Sequence, residues 1–285
     1  MGVYSEAIAD NSIWLTLTPN EHVKNLPFYI TEIGHFFAQR EYRVERMFHN
    51  SHLFVFTVRG CGEIVSDSIS SELPDSCACM IDCKKPHKYF SKSENWEFVW
   101  FHMGGCAVSS IFETIYNTGS KPIQINNKKE FEHTLARLMG LAADSSLMSA
   151  FKISYDIHGI LNTVFESSIA PSDSSSSMPY YDDIKAAAEY IKNNYAKPIT
   201  IDDLIAQAHM SKFYFVRIFH KMMGMPPYSY ITNYRINQAK ILLHSTKRSV
   251  SEISEQCGFM DTSNFIAHFK KHTGQTPLQY RRDFL

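Results

Sequence analysis

Set against itself at an offset of 50 residues, the C-terminal part of this chain aligns Phe215 with Phe265, Phe219 with Phe269, Lys221 with Lys271, Gly224 with Gly274, Pro227 with Pro277 and Tyr230 with Tyr280. Matches of such marked residue types at one spacing describe one supersecondary unit used twice. Each copy has the same order: a short helix, a tight turn, and a second helix whose two Phe, four residues apart, fix one buried face. In the first copy Thr200 caps a helix with Asp203 in its first turn, Leu204 and Ile205 point inward, and Ser211 caps the next helix. In the second, Ser249 to Cys257 forms the first helix, Gly258 allows the turn, and Asp261 caps a helix running through His272. A long helix from Tyr228 to His244, with Ile231, Tyr234, Ala239, Leu242 and Leu243 inward, joins the copies. The pattern predicts a tandem helix-turn-helix, whose second helices can enter successive major grooves about 34 Å, or ~10 bp, apart. The alternative is a helical bundle whose Lys and Arg form only a solvated face.

Charge separates these readings. The formal net charge of −1 hides an asymmetry: residues 1 to 180 carry 14 Lys+Arg against 20 Asp+Glu, whereas residues 181 to 285 carry 14 against 9. A basic C-terminal region beside an acidic N-terminal one fits a chain of which one part meets an anionic polymer. A length of 285 residues suggests two domains, and 44% hydrophobic with 20% charged residues excludes disordered and collagenous classes. No apolar run approaches the ~18 residues of a membrane span, and the first twelve residues carry acids without a basic segment leading an apolar stretch. A cytoplasmic location, with no membrane partner, is expected.

From Ile30 to about Met103 the sequence reads as short strands, among them 53–58, 63–65, 77–82, 88–90 and 96–103, which predict an antiparallel sandwich or barrel. Phe131, Leu135, Leu138 and Met139, and then Ile153, Ile157, Ile160, Leu161, Val164 and Phe165, fall at helical spacing and predict two amphipathic helices. The second buries its stripe against the strands or against the same helix of another subunit. The stretch from Pro171 to Pro179 is rich in Ser, bounded by prolines and without a core-forming residue beyond Met178, and reads as a flexible linker. The expected organisation is a domain over 1–170, a linker over 171–181 and a DNA-binding domain over 182–285.

Cys77, Cys79 and Cys83, with His87, can be read as zinc ligands, although paired ligands at two-residue spacing are absent. The other reading is a half-buried strand in which free Cys packs as a small hydrophobe. A metal-dependent barrel enzyme needs two His one residue apart, a Glu soon after and a distant His. Here His49 and His52 are two residues apart, Phe54 to Val58 supplies no carboxylate, and only His87 is left as the distant ligand. With no phosphate loop and no nucleophile beside an orienting base, the chain is expected to be no enzyme and to hold no cofactor or metal.

The run Arg235-Ile236-Asn237-Gln238-Ala239-Lys240-Ile241-Leu242-Leu243, then Val250-Ser251-Glu252-Ile253-Ser254, Cys257-Gly258-Phe259-Met260-Asp261, Phe265, Phe269 to Pro277 and Tyr280-Arg281 resembles the signature of AraC/XylS-type transcription regulators over roughly residues 183 to 282. More loosely, Thr57 to Gly62, Pro86 to Tyr89 and Trp96 to Trp100 resemble that family's cupin-like effector barrel. The resemblance implies a two-domain α+β chain: an N-terminal cupin-like antiparallel β-barrel with helices, for effector binding and dimerisation, and a C-terminal all-α tandem helix-turn-helix domain. It implies a regulator of carbohydrate uptake or catabolism genes, activating rather than repressing, with promoter DNA, RNA polymerase, a second copy of the chain and a mono- or oligosaccharide effector as partners. A non-sugar effector stays open.

DNA contacts are implied for Lys212, Phe213, Val216, Arg217, His220 and Lys221 in the first unit, with Arg217 able to make a bidentate guanine or phosphate contact. In the second unit they fall on Thr262, Ser263, Asn264, Ala267, His268, Lys270 and Lys271. Ala267 stands where the family often has Arg, so this unit is expected to position the backbone more than read bases. Effector contacts are implied for Arg46, Tyr89, Phe98 and Trp100, with Phe98 in place of an expected His and His102 on the same strand face. Arg and Tyr hydrogen-bond hydroxyls and Trp stacks on a pyranose face. Plain core packing of Trp96, Phe98 and Trp100 is the alternative.

Overall fold

Along Cys61–Ser66 and His87–Ser91 burial alternates strictly, whereas His52–Arg59 and Cys77–Asp82 are buried on almost every residue. One sheet therefore faces solvent on one side, and the other is covered on both. The computed structural model describes residues 3–5, 7–66, 69–116, 121–169, 180–206 and 210–282, in two units dividing between Ser168 and Ile169. The linker reading at 171–179 lies outside the described residues. Tyr181, expected in the linker, instead opens a helix.

In chain order the first unit forms β1 (Val3–Ser5), β2 (Ile13–Thr16), α1 (Glu21–Lys24), β3 (Tyr29–Gln39), β4 (Arg43–Arg46), β5 (His52–Arg59), β6 (Cys61–Ser66) and β7 (Ile69–Pro74). It continues with β8 (Cys77–Asp82), β9 (His87–Ser91), β10 (Asn95–Gly104), α2 (Val108–Ile115), β11 (Ile123–Gln124), α3 (Lys128–Ala142) and α4 (Leu147–Ile169). The outer sheet has strand order β1-β4-β9-β6-β7 and the inner sheet β11-β8-β5-β10-β3-β2. Both ends of each sheet are edges, closed by short strands that pair with one neighbour. The strands thus form an antiparallel two-sheet sandwich, the first of the two arrangements that the strand pattern predicts, and no ladder among the described residues joins one sheet to the other to close a barrel.

Two cores follow. Phe36, Val44, Val55, Ile64, Leu73, Tyr89, Trp96 and Phe98 fill the space between the sheets, and Phe54, Phe56 and Phe101 on the other face of the inner sheet meet Phe131, Leu135, Ile157 and Ile160 of α3 and α4. The helical stripes read from the sequence are therefore buried against the inner sheet. Gly62 is what lets Trp96 bridge the sheets: a Cβ there would lie 2.3 Å from the indole ring. The indole N–H donates to Thr57 Oγ1, and that hydroxyl donates to the Leu73 carbonyl, so neither is left unpaired. Cys79 is fully buried in β8, and burial pushes the Cys77 thiol up to about 11 and the Cys83 thiol to about 12. β8 is covered on both faces, not half-buried, and no group of metal-ligating side chains converges among the described residues. No described helix is long and apolar enough to cross a membrane.

The second unit is helical: α5 (Tyr181–Asn194), α6 (Ile201–Ile205), α7 (Lys212–Met223), α8 (Pro227–Ser245), α9 (Val250–Gln256), α10 (Thr262–Thr273) and α11 (Pro277–Arg282). It has two small cores, one around Phe215, Phe219, Leu204 and Ile231 and the other around Phe265, Phe269, Ile253 and Leu243. α8 supplies residues to both. Gly258 ends α9 with φ +79°, and a Cβ there would meet the Tyr195 carbonyl oxygen at 2.6 Å. The second helix-turn-helix thus abuts the end of α5. Gly258→Ala is expected to cost about 1–2 kcal/mol through backbone strain alone, and more through the overlap. Thermal unfolding should show it as a lowered midpoint for the C-terminal unit, and an unchanged midpoint would mean that this junction has slack.

Candidate nucleic-acid interface

The two helix-turn-helix units are near copies in their local chemistry. Thr200 and Ser249 each open the first helix with a reciprocal capping box, to Asp203 and Glu252 respectively. Ser211 and Asp261 cap α7 and α10, accepting from Tyr214 N and Asn264 N. Gly224 and Gly274 end those helices at φ +73° and +78°, left-handed values that release the chain toward Pro227 and Pro277. Inside, Phe219 meets Tyr230 edge-on with ring centroids 5.4 Å apart, and Phe269 meets Tyr280 edge-on at 5.4 Å. The repeat legible at an offset of 50 is a structural repeat down to ring geometry.

Burying Phe215, Ile218 and Phe219 leaves the opposite face of α7 to solvent. Lys212, Phe213, Arg217, His220 and Lys221 are exposed there and Val216 half-exposed, which brings all six predicted residues onto one face. Phe213, 82% exposed at the start of the helix, has no packing role that explains it. The Arg217 guanidinium lies 4.9 Å from the centre of the Tyr214 ring, which restricts its fork. Partial burial, then the Arg217 charge one turn away, lowers the Lys221 amine from its ordinary value. Two cations so placed repel each other, and an anion between them relieves that repulsion. Lys212 is the exception, since Asp202 of α6 holds its Nζ at 3.2 Å.

On α10, Ser263, Asn264, Ala267, Lys270 and Lys271 are exposed, and Thr262 and His268 are half-buried. Thr262 Oγ1 lies 3.3 Å from Ser251 Oγ, so it ties α10 to α9. Burial and then the neighbouring His268, Lys271 and Lys240 lower the His272 imidazole from its ordinary value, a sign of basic groups gathered around this helix. The sequence reading missed Met260, which is fully exposed just before the Asp261 cap. An apolar residue one position before an N-cap is the signal that could have found it.

The N-terminal residues implied as effector contacts separate into two groups. Arg46, Tyr89 and Trp100 all face the space between the sheets at one end of the sandwich, in company with His87 and His102. Phe98 is fully buried and stacked on Trp96 with centroids 3.9 Å apart, in the apolar part of the core. It fits the core-packing alternative read for this strand. Trp14 of β2, which the sequence reading did not name, packs edge-on against Trp100 at 6.0 Å.

The C-terminal geometry has known counterparts. A family model described as a helix-turn-helix domain matches residues 204–283. The lactose operon transcription activator of Staphylococcus xylosus is 33% identical over 103 residues, 36% of this chain and 37% of that protein. The melibiose operon regulatory protein of Escherichia coli strain K12 is 34% identical over 93 residues, 33% of this chain and 31% of that protein. The Msm operon regulatory protein of Streptococcus mutans is 23% identical over 198 residues, 66% of this chain and 68% of that protein. The first two matches span about a third of the relative's length. With its capped, duplicated helix-turn-helix units and these counterparts, the C-terminal unit is a helix-turn-helix domain similar to those of these operon regulators.

Proposed function

We propose that this protein is a sequence-specific DNA-binding transcription regulator, an activator of carbohydrate uptake or catabolism genes, controlled by a small sugar held in the N-terminal sandwich. The observation that carries the reading is the pair of exposed faces on α7 and α10, repeated on one scaffold and opposite fully buried Phe pairs. The similarity to regulators of lactose and melibiose operons supports the carbohydrate assignment. For the sugar to control anything, its binding must differ in free energy between arrangements that favour and disfavour DNA binding. RNA polymerase is the partner through which an activator at a promoter acts. The reading assigns no catalysis.

The face of α4 that turns away from the sandwich supports self-association. Leu147, Met148, Phe151 and Tyr155 are exposed large apolar residues on a helix whose other stripe is buried. Beside them Arg137 holds Asp156 through two hydrogen bonds of 2.9 and 2.8 Å, and Arg137, Leu141, Phe151, Lys152 and Tyr155 line a groove. A second copy of the chain, binding as a homodimer, would cover that face.

Arg217→Ala is expected to cost about 1–3 kcal/mol of promoter affinity and to relax sequence preference, whereas Lys271→Ala should weaken binding to specific and random DNA alike. Titrations against promoter and scrambled duplexes check both, and equal losses on the two duplexes for both variants would sink this division of labour. For the dimer, Phe151→Glu combined with Tyr155→Glu should shift sedimentation from dimer to monomer. A wild-type protein that sediments as a monomer at micromolar concentration would remove α4 as an interface.

A further inference from the structure

The two helix-turn-helix units part company at one pair of equivalent residues. At the offset of 50, Met210 and Met260 coincide, each directly before the residue that caps the second helix, Ser211 or Asp261. An apolar side chain in that position commonly packs on the residue four places beyond the cap, a hydrophobic staple that fixes how the chain enters the helix. Those residues are Phe215 and Phe265, both fully buried. Met210 packs, partly buried, against the first core, of which Phe215 is a member. Met260 is 100% exposed.

The reason lies one residue earlier in the second unit. Phe259 packs against the second core with its ring centroid 5.1 Å from that of Phe265, and so takes the place that a staple from Met260 would use. Gly258, at φ +79°, turns the chain just before it. With the entry to α10 fixed by Phe259 and by the Asp261 cap, Met260 has no part in holding the turn. A long apolar side chain left wholly in water gains from burial only against a partner that meets it from outside.

The groups that border Met260 select that partner. It lies two residues before α10 begins, and three, four and seven residues before Ser263, Asn264 and Ala267, which are exposed on the side of α10 assigned to DNA. From Met260 to Phe269 the chain has no Lys or Arg, whereas the equivalent stretch of the first unit has Lys212 and Arg217. This end of α10 therefore offers no such cation to a phosphate, and the Asp261 carboxylate repels one. What it offers is a hydroxyl, an amide and two apolar groups, which suit base edges. In the major groove thymine presents a methyl group, and adenine presents the N7 acceptor and N6 donor that an amide meets with two hydrogen bonds. A duplex seated on Ser263 and Asn264 reaches Met260 without displacing anything.

We propose that Met260 is a specificity-determining residue that packs on the C5 methyl of a thymine in the major groove, with Asn264 bonding an adenine edge beside it. The inference rests on the reading that α10 faces DNA, and adds the base and the contact. The second unit, with Ala267 in the place of Arg217, then reads A·T pairs without an arginine fork, while Lys270 and Lys271 farther along meet phosphates. Cytosine lacks the methyl and puts an N4 donor where thymine has O4. One buried methyl group sets the scale of the discrimination at about 4-fold.

The test uses duplexes that the full chain enriches from a random-sequence pool. In an enriched duplex each thymine is replaced in turn by deoxyuridine, which removes the methyl and keeps the pairing, and binding of wild type, Met260→Ala and Met260→Leu is titrated. At one thymine at least, wild type should lose about 4-fold on deoxyuridine. Met260→Ala should bind the parent duplex about 4-fold more weakly and show no further loss at that thymine, and Met260→Leu should keep the loss. Because the side chain is exposed, neither substitution disturbs the core. No loss at any thymine, or every loss retained in Met260→Ala, would overturn the thymine contact and leave DNA binding through α10 standing. A Met260→Ala protein that binds every duplex as wild type does, yet fails to activate transcription, would overturn it in favour of a protein partner. A pool that yields no preferred sequence would overturn the sequence-specific reading and this inference together.

Discussion

Two helix-turn-helix units can read one stretch of DNA only if their spacing is fixed, and here α8, packed in both cores, and a half-buried cation on it hold that spacing. Arg235 leaves α8 midway along its length and donates through Nε and Nη2 to the carbonyls of Tyr195 and Lys197, each at 2.8 Å. Its guanidinium also lies 5.7 Å from the Phe259 ring centre, beside the turn of the second unit. One side chain thus satisfies two carbonyls just beyond α5, which packs in the first core, and supports the entry to α10. Losing it would leave those carbonyls without their donor and free the two cores to rotate about α8. Gly258 completes the joint by giving way where a side chain would collide.

The second joint follows the same rule farther along. Arg281 of α11 donates to the Leu243 and Arg248 carbonyls at 3.3 and 2.6 Å, closing the end of α8 as Arg235 closes the end of α5. A protein built from a repeated unit has repeated ends to satisfy. In both places an arginine reaches carbonyls that a helix terminus would otherwise present unpaired.

How much was legible in the sequence varies with the range of the interaction. Caps, turns and the Phe pairs are local, so the helices of the two repeated units could be read to within a residue or two from Thr200, Ser211, Ser249, Asp261 and the left-handed glycines Gly224, Gly258 and Gly274. The N-terminal unit depends on which strands pair, and a single sequence does not carry that. The strands were visible, but the difference between a closed barrel and an open sandwich lies in whether edge strands such as β7 and β11 find partners, a long-range question. For the same reason Glu32, whose charge acts on the buried Tyr89, passed unnoticed. Its inward orientation is set by parity with Phe36 within β3, a strand that the sequence pattern did not single out. Phe98 was read through a likeness of position, and the register that stacks it on Trp96 puts it in the apolar core. β8 was misjudged in the opposite sense: its alternation of small residues suggested one wet face, whereas it is a central strand with cover on both sides.

The placement of the tryptophans has a practical consequence. All three, Trp14, Trp96 and Trp100, belong to the N-terminal unit, and the C-terminal unit has tyrosine and phenylalanine alone. Indole emission excited selectively is therefore a signal from the sandwich, with no contribution from tryptophan in α7 or α10. Two of the three emitters sit at the end of the sandwich that holds Arg46 and His102, one of them partly in solvent, while Trp96 lies sealed at the apolar end as an internal reference. The molecule carries its own optical label, divided between a responsive pair and a constant one.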